Sequence, residues 1–270
     1  MSNKTAIVYL YKEDDESRKN LDFFIKKSKQ NNLCTYYLII NNDICSLNVP
    51  DFFIINKQEN NFDFPSYKKF IANNDLSNYE YIYFLNSSCI GPFVPTYCEM
   101  EWYQYTNNFF EKYDFIGSIA EVPPSPLYSP QDEFKKCPFI HTYMFGLNKK
   151  TFNVFSNLLK KYDNFDKNFC ILFERMLSYE ILNQNYKIKS FLTVFNNVDL
   201  NNKKNWDYLL WNQNEKTCYE IPNNYFGIDV NPYEIIFIKN IRKENETRKK
   251  DVAGISENLK KQISNYVSWS

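Results

Sequence analysis

The strongest fold signal in this chain is residues 79–95, YEYIYFLNSSCIGPFVP. Residues 81–85 form an apolar, aromatic series that is typical of a strand buried on both faces of a parallel sheet. The series ends in Asn86, Ser87 and Ser88, and a Gly-Pro break follows. Ligands of open α/β sheets bind just beyond the carboxyl ends of such strands, so these polar side chains are placed to meet a ligand. An ordinary strand-ending turn is the alternative, because the same residue types are common in turns.

Strand-like and helix-like segments alternate along much of the chain. Apolar runs predict strands at residues 5–11, 35–40, 51–55, 81–85, 115–119, 142–147 and 186–194. Helical spacing predicts helices at residues 15–30, 66–73 (with Ser66 as its cap), 97–110, 151–161 and 169–183. Strands that alternate with helices imply right-handed crossovers, so we predict an α/β fold with a mainly parallel, doubly wound sheet.

Other segments are less regular. Residues 121–138 hold five of the 11 prolines and are typical of a lid or a binding loop. Residues 234–239 fit either a late strand or the start of a helix, and residues 252–267 have an amphipathic pattern. We therefore expect one domain over residues 1–245, with residues 246–270 as an amphipathic helix that packs on the domain or extends it.

Composition narrows the function. The 32 basic and 32 acidic residues cancel, so bulk charge does not indicate a nucleic-acid partner. The sequence has 5 glycines and neither a dinucleotide-binding nor a P-loop glycine pattern, which leaves another variant of nucleotide binding as the expectation. Seven scattered cysteines and a single histidine do not match a zinc-binding pattern. Reduced thiols and the lack of a long apolar stretch lead us to expect a cytoplasmic protein without a membrane span.

Four segments, in this order, resemble a glycosyltransferase family of the nucleotide-sugar (GT-A) type that occurs among rhamnan-synthesis and viral glycan-building proteins. They are residues 59–64 (ENNFDF), 84–93 (FLNSSCIGPF), 138–145 (PFIHTYMF), and 225–227 (YFG) with 231–239 (NPYEIIFIK). The second resembles the family's Asn-Ser-Ser-x-x-Gly-Pro segment closely. The chain departs from the family at Pro65-Ser66, where the family has Gly-Ala, and at Asn231, where it has His.

The resemblance implies a GT-A-like nucleotide-sugar-binding fold. It also implies transfer of a hexose or deoxyhexose from a UDP-, GDP- or dTDP-sugar to a glycan or related acceptor, as in polysaccharide biosynthesis. Such enzymes usually hold the donor diphosphate through a divalent cation bound by an Asp-x-Asp pair, since hard cations prefer oxygen ligands. Asn86, Ser87 and Ser88 occupy the position of that pair, and their neutral groups bind Mg²⁺ or Mn²⁺ weakly. We therefore expect no metal ligands in the protein, so the donor binds without a cation or brings one with its diphosphate.

Three further residues are candidates for the donor site. Asp63 follows the third predicted strand, where it could hydrogen-bond the ribose or the transferred sugar; alternatively, it caps the helix that begins near Ser66. Tyr9 and Tyr11 end the first strand, where a nucleotide base could stack on them; the alternative is burial in an aromatic core.

Glu174 is the candidate base, because an inverting transfer needs one carboxylate within hydrogen-bond reach of the acceptor hydroxyl. The resemblance puts Glu174 where inverting GT-A enzymes have their catalytic Asp, with Glu180 as a less favoured substitute; the alternative is a surface glutamate paired with Lys or Arg. His141 follows the proline-rich loop and could contact the acceptor or the donor phosphate, or have a structural role. The resemblance also marks an acceptor or carboxyl-terminal site at Tyr225, Asn231, Tyr233 and Glu234.

Two other classes of function stay open. The neutral trio at Asn86, Ser87 and Ser88, together with Asn231, would also fit a catalytically inactive module that binds a nucleotide sugar or a glycan. The many aromatic residues, 24 Phe and 22 Tyr, and the amphipathic tail would fit a scaffold of a glycan-assembly complex.

Overall fold

The structure is a computed structural model, and it describes residues 5–42, 44–59, 62–121, 137–209, 223, 225–226, 228–240 and 256–269. The strands are β1 Thr5–Lys12, β2 Cys34–Asn41, β3 Phe53–Gln58, β4 Tyr81–Asn86, β5 Cys89–Ile90, β6 Phe115–Gly117, β7 Ala120–Glu121, β8 Phe139–Ile140, β9 Met144–Asn148, β10 Ile188–Ser190 and β11 Ile238–Lys239. The helices are α1 Asp15–Lys27, α2 Asp63–Asn73, α3 Trp102–Asn107, α4 Lys149–Lys160, α5 Lys167–Asn183, α6 Lys203–Leu209, α7 Pro232–Ile235 and α8 Glu257–Trp269. Short 3₁₀ turns lie at Asn108–Glu111 and Thr193–Phe195.

A seven-stranded sheet forms the centre of the molecule, in the order β10-β6-β9-β4-β1-β2-β3. Every neighbouring pair is parallel except the two made by β9, which runs antiparallel to β4 and to β6. Two small antiparallel pairs, β5–β11 and β7–β8, lie outside this sheet. The predicted α/β class with a mainly parallel sheet is confirmed.

Helices cover both faces of the sheet, which explains why β1 and β4 are apolar without alternation. On one face, Phe84 packs in a core cluster with Phe70 of α2 and Phe155 of α4. On the other face, Tyr83 belongs to a second cluster with Phe24 of α1. A strand with a helix layer on each side buries successive side chains in turn, so nearly every residue of it is apolar.

The second helix begins earlier than the sequence predicts. It starts at Asp63 with Phe62 as N-cap, so Ser66 lies inside the helix and is not its cap. The Ser66 hydroxyl donates to the Phe62 carbonyl at 2.9 Å. Pro65 is tolerated here because the first turn of a helix has no carbonyl partner for its missing N–H.

Several later elements are shorter than predicted. The strand expected over residues 186–194 is limited to Ile188–Ser190, because the chain then turns into the 3₁₀ segment Thr193–Phe195. The ambiguous residues 234–239 hold both the end of α7 and the strand β11. Most of the proline-rich segment, residues 122–136, lies outside the described residues.

The carboxyl-terminal helix α8 packs against the domain through Leu259 and Ile263, both buried in the first core cluster. Ser256, just before this helix, is hydrogen-bonded to the Asp229 carboxylate and accepts from the Leu259 N–H at 3.0 Å. Within the part of the chain that the structure describes, no helix combines the length and apolar character that a bilayer crossing requires.

Candidate functional site

The turn after β4 is closed by its own side chains. The Asn86 N–H donates to the Tyr143 carbonyl at 3.0 Å, and the Ser87 N–H donates to the Leu10 carbonyl at 2.9 Å. The Asn86 amide oxygen accepts from the Ser88 N–H at 3.1 Å and from the Ser88 hydroxyl. Asn86 and Ser87 are only 8% and 6% exposed, whereas Ser88 is half-buried. Of the three predicted residues, Ser88 is therefore the one with surface to offer a ligand.

An amide pair clamps this turn to distant parts of the chain. Asn20 of α1 and Asn240 exchange two hydrogen bonds of 2.8 Å, and Asn20 also donates to the Ser87 carbonyl at 2.9 Å. The Asn240 N–H donates to the Ser88 carbonyl at 3.0 Å. The Ser87 hydroxyl accepts from the Lys12 N–H at 3.3 Å, so Ser87 braces the turn.

Asp63 lies beside this turn at the carboxyl edge of the sheet. Its carboxylate accepts a 2.6 Å hydrogen bond from the Asn86 amide. Burial raises the pKa of Asp63, while the Asn86 bond and the charges of Lys239 and Lys12 act to lower it. The alternative of Asp63 as helix cap is wrong, because Phe62 holds that position.

Glu174 is held by the segment that leads into β9. The Thr142 hydroxyl donates to the Glu174 carboxylate at 2.9 Å, and the Thr142 N–H donates to the same oxygen. One helical turn further on, the Ser178 hydroxyl accepts from the Ile140 N–H at 3.1 Å. Residues four apart on a helix share a face, so α5 uses one face to fix Ile140, at the end of β8, and Thr142, in the turn before β9.

Asp63 and Glu174 lie within electrostatic range of each other, since the Glu174 charge helps to raise the pKa of Asp63. We call Asp63, Asn86, Ser88, Thr142 and Glu174 the polar cluster. Two carboxylates are thus brought together from α2 and α5, each fixed by a neutral donor. The surface-pair alternative for Glu174 is not favoured, because its hydrogen bonds among the described residues are with Thr142.

His141 borders the polar cluster through its neighbour Thr142. Its ring Nε2 lies 3.0 Å from the Glu121 carboxylate, and the ring stacks on Phe139 with centroids 5.3 Å apart. His141 is only 9% exposed. Glu121 is the first residue of the proline-rich segment, so the pair lies at the start of that segment.

Tyr9 and Tyr11 lie in the core rather than in a cleft. Tyr9 is 1% exposed and packs on Phe24 with ring centroids 4.7 Å apart. Tyr11 is also fully buried, and its hydroxyl donates to the Glu13 carboxylate at 2.6 Å. A ring without exposed surface cannot stack on a base, so the alternative of an aromatic core describes both residues.

Sequence reasoning missed Glu13, which joins two loops at the carboxyl edge. Its carboxylate accepts from the Arg18 Nε at 2.8 Å and from the Ser46 hydroxyl at 2.9 Å, in addition to Tyr11. Burial opposes the charged form, but these hydrogen bonds prevail and lower the pKa of Glu13 to about 2. An acidic residue directly after a buried strand was the available signal. Thr142, which follows His141 directly, and Lys239, five residues after Glu234, were also not predicted as site residues.

The four carboxyl-terminal candidates contact one another and the turn after β10. One oxygen of Glu234 accepts from the Thr193 N–H at 2.6 Å and from the Tyr225 hydroxyl at 2.6 Å. Asn231 caps α7 by accepting from the Tyr233 N–H at 3.0 Å. The Tyr233 ring remains 42% exposed. The hydrogen bonds of Asn231 and Glu234 therefore brace the chain, and the exposed residues of the four are Asn231 and Tyr233.

The donor set of the polar cluster does not fit a cation held by the protein. Among the described residues, no group of three or more His, Cys, Asp or Glu side chains is placed to hold a metal ion. The charges of Lys239 and Lys12 act on Asp63, and the Asn86 oxygen already accepts from Ser88. Mg²⁺ prefers roughly six oxygen ligands in octahedral order, and positive neighbours repel it.

No protein-family model matches the chain, and no curated protein matches it in sequence. Solved structures that it is similar to include 4-diphosphocytidyl-2C-methyl-D-erythritol synthase from Anaerococcus prevotii (11% identity, TM-score 0.41, 76% of this chain and 94% of that one). Another is a nucleotide-diphospho-sugar transferase from Desulfovibrio desulfuricans, with 11% identity and a TM-score of 0.41 over 78% of this chain and 97% of that one. A third is a mannosyltransferase from Pyrobaculum calidifontis in complex with GDP-Man and Mn²⁺, with 7% identity and a TM-score of 0.41. The match covers 70% of this chain and 55% of the mannosyltransferase, so this chain spans about half of that protein's length. These matches carry no argument about function, which is inferred from this chain's own residues.

Proposed function

We propose that this protein transfers a sugar, a hexose or deoxyhexose, from a nucleotide-sugar donor to a glycan or related acceptor. The observation that carries the proposal is the polar cluster itself. It lies at the carboxyl edge of a mainly parallel sheet, which is where α/β proteins bind their ligands. There, Asp63 is held by Asn86 at 2.6 Å, with a second carboxylate in electrostatic range.

The donor would bind on the Asp63 side. Lys12 and Lys239 act electrostatically on Asp63, and their charges would favour the diphosphate. Ser88, half-buried at the turn, would turn its hydroxyl away from the Asn86 amide oxygen and donate to a phosphate or sugar oxygen. Asp63 would accept from a hydroxyl of the ribose or of the transferred sugar. A Mg²⁺ or Mn²⁺ ion, where one is involved, would arrive bound to the diphosphate, and no step is assigned to it.

The acceptor would bind on the Glu174 side. Glu174 would take the proton of the acceptor hydroxyl as that oxygen forms a bond to the anomeric carbon. The bond from the same carbon to the diphosphate would break, and the nucleoside diphosphate would leave with the electron pair. A single base that acts on the attacking hydroxyl fits an inverting transfer. The His141–Glu121 pair, 3.0 Å apart, would border the acceptor.

A transfer assay tests the proposal. The full chain is incubated with UDP-, GDP- or dTDP-sugars, with and without glycan acceptors, and release of the nucleoside diphosphate is measured. Glu174→Gln should lower the rate about 100-fold or more, as expected for loss of a general base. Glu180→Gln, six residues along the same helix, is the matched control and should keep the rate. Equal rates for the two variants would contradict the role of Glu174.

The donor side is tested by binding. Asp63→Asn should raise the dissociation constant for the productive nucleotide sugar, measured by calorimetry, whereas Asp163→Asn should not. Asp163 is a suitable control because it is exposed and pairs with Lys68 on the surface. Failure of any nucleotide sugar or free nucleoside diphosphate to bind would overturn the proposed function.

A catalytically inactive binding module is the second candidate. It is favoured by Asn86, whose amide is fully engaged with Asp63 and Ser88 and carries no charge. This candidate predicts saturable binding of a nucleotide sugar with no release of nucleoside diphosphate under any acceptor. The scaffold candidate has less support, because Leu259 and Ile263 use the apolar side of α8 within the domain.

A further inference from the structure

A cavity lies beside the amino end of β10, an edge strand of the sheet. Its volume is about 570 Å³, within the range of roughly 300–1,000 Å³ that is usual for small-molecule sites. Because β10 is parallel to β6, and β9 is antiparallel to both β6 and β4, β10 runs in the same direction as β4. Its amino end therefore faces away from the polar cluster.

Lys189 is the unusual residue of this cavity. The residue is only 7% exposed, and its ammonium donates to the Asn196 amide oxygen at 2.8 Å. The same ammonium lies 5.9 Å from the centre of the Tyr113 ring. Burial lowers the pKa of Lys189, and within the described ranges no carboxylate pairs with it. A buried ammonium without a counter-charge is unfavourable, and an anion in the adjoining cavity would supply that charge.

The rest of the lining holds two lysines and two carboxylates, Glu111 and Asp199, whose charges cancel, together with groups that suit a sugar. Lys112 and Lys187 line the cavity and are exposed. Of its two acidic residues, Asp199 is engaged by Asn201, whose N–H and amide donate to it at 3.0 and 2.8 Å. The Asn196 and Asn197 amides and the ring of Tyr113 also line the cavity. Side-chain amides pair with hydroxyl groups, and an aromatic face packs against the C–H face of a sugar ring.

We propose that this cavity binds a small anionic sugar, one that carries a carboxylate or a phosphate group. Lys189 supplies the buried counter-charge, and Asn196, Asn197 and Tyr113 contact the sugar. The site is separate from the polar cluster and does not depend on sugar transfer there.

Binding to the full chain tests the site. The protein is titrated with glucuronate, glucose 6-phosphate, glucose and inorganic phosphate, and amide resonances of residues 187–201 are followed by NMR. The two anionic sugars should give saturable shifts confined to this segment and its neighbours. Glucose should bind at least tenfold more weakly. Comparison of glucuronate with glucose 6-phosphate distinguishes the two sources of negative charge.

Variants assign the effect to Lys189. Lys189→Met keeps most of the length of the side chain without its charge, and it should weaken binding of the anionic sugars at least tenfold. Lys160→Met makes the same change of charge on an exposed residue of another cavity and should leave binding unchanged. If Lys189→Met fails to fold, the wild-type titration still decides. The proposal is overturned if neither anionic sugar gives a saturable shift, or if inorganic phosphate or glucose binds as well as they do.

Discussion

The amino-terminal region, residues 5–90, and the carboxyl-terminal region, residues 137–240, are held together in different ways. In the first, β1 to β4 have six to eight residues each and pair through long parallel ladders. In the second, β8, β10 and β11 have only two or three residues. Polar side chains complete the pairing there, as when Ser178 accepts from the Ile140 N–H.

This difference determines which substitutions destabilise each region most. A ladder of many backbone bonds over a large apolar core has no single essential polar group, so only a change of core volume disturbs it strongly. A short strand completed by one side chain depends on that side chain, because a buried N–H without a partner costs about 1–3 kcal/mol. Three changes, in order of decreasing effect, and one dependence on pH test this view.

The largest effect is expected in the core of the first region. Phe84 is fully buried and stacks on Phe145 with centroids 5.2 Å apart. Phe84→Ala should lower the free energy of unfolding by about 3–5 kcal/mol, measured by urea denaturation, because it leaves a cavity between two helices and the sheet. Tyr97→Ala is the control, since Tyr97 is 87% exposed and should change stability by less than about 0.5 kcal/mol. Similar losses for both would contradict the assignment of the core.

The second effect is at the amide pair that joins the two regions. Asn20→Ala removes both bonds to Asn240 and the bond to the Ser87 carbonyl. It should lower the free energy of unfolding by about 2 kcal/mol, because buried partners are left unsatisfied. The double variant with Asn240→Ala should show a coupling of about 0.5–3 kcal/mol in a double-mutant cycle. Strictly additive losses would mean that the pair does not act as a unit.

The third effect is at the brace of the second region. Glu234→Ala removes one oxygen that accepts from Thr193 and from Tyr225. Because these bonds are partly exposed, the loss should be about 1 kcal/mol. Amide hydrogen exchange at Thr193 should become faster, whereas exchange in β1 should not change. Glu99→Ala, on an exposed loop residue, is the control, and unchanged exchange at Thr193 would show that the brace is dispensable.

The fourth test is a dependence of stability on pH in the first region. The folded pKa of Glu13 is about 2, below the ordinary value of about 4.3. A depressed carboxylate pKa contributes stability that is full above the unfolded value and is lost as the pH falls from about 4.5 to about 2. Glu13→Gln should flatten the stability profile in that range, measured by thermal unfolding. Glu16→Gln, whose side chain is 52% exposed, should keep the wild-type slope; an unchanged slope in Glu13→Gln would contradict the role of Glu13.

Local patterns predicted the first region well. The apolar series at residues 81–85 becomes β4, Tyr81–Asn86, and the amphipathic segment at residues 15–30 becomes α1, Asp15–Lys27. These predictions hold because a strand or helix buried by its immediate neighbours carries its periodicity in its own residues. Ser66 shows the limit: its type suits a cap, yet the helix begins three residues earlier.

The candidate site was predicted only in part. The sequence marks Asp63, Asn86 and Glu174 as separate candidates, but it does not reveal that Asn86 donates to Asp63 or that Thr142 holds Glu174. These contacts join residues 23 and 32 positions apart. Local periodicity holds no information on such pairs, which are determined by how the layers pack.

The amino-acid sequence by itself determined the layered α/β class, since buried strands and amphipathic helices follow from the spacing of apolar side chains. Only the tertiary structure decided which polar groups form hydrogen bonds in the interior and which are accessible to a ligand. Tyr9 and Ser87 are residue types that often line binding sites, but both are buried here. Tyr9 packs in the core, and the Ser87 hydroxyl accepts an internal hydrogen bond. The physical reason is that burial and partner choice are properties of the assembled layers, and no single segment contains them.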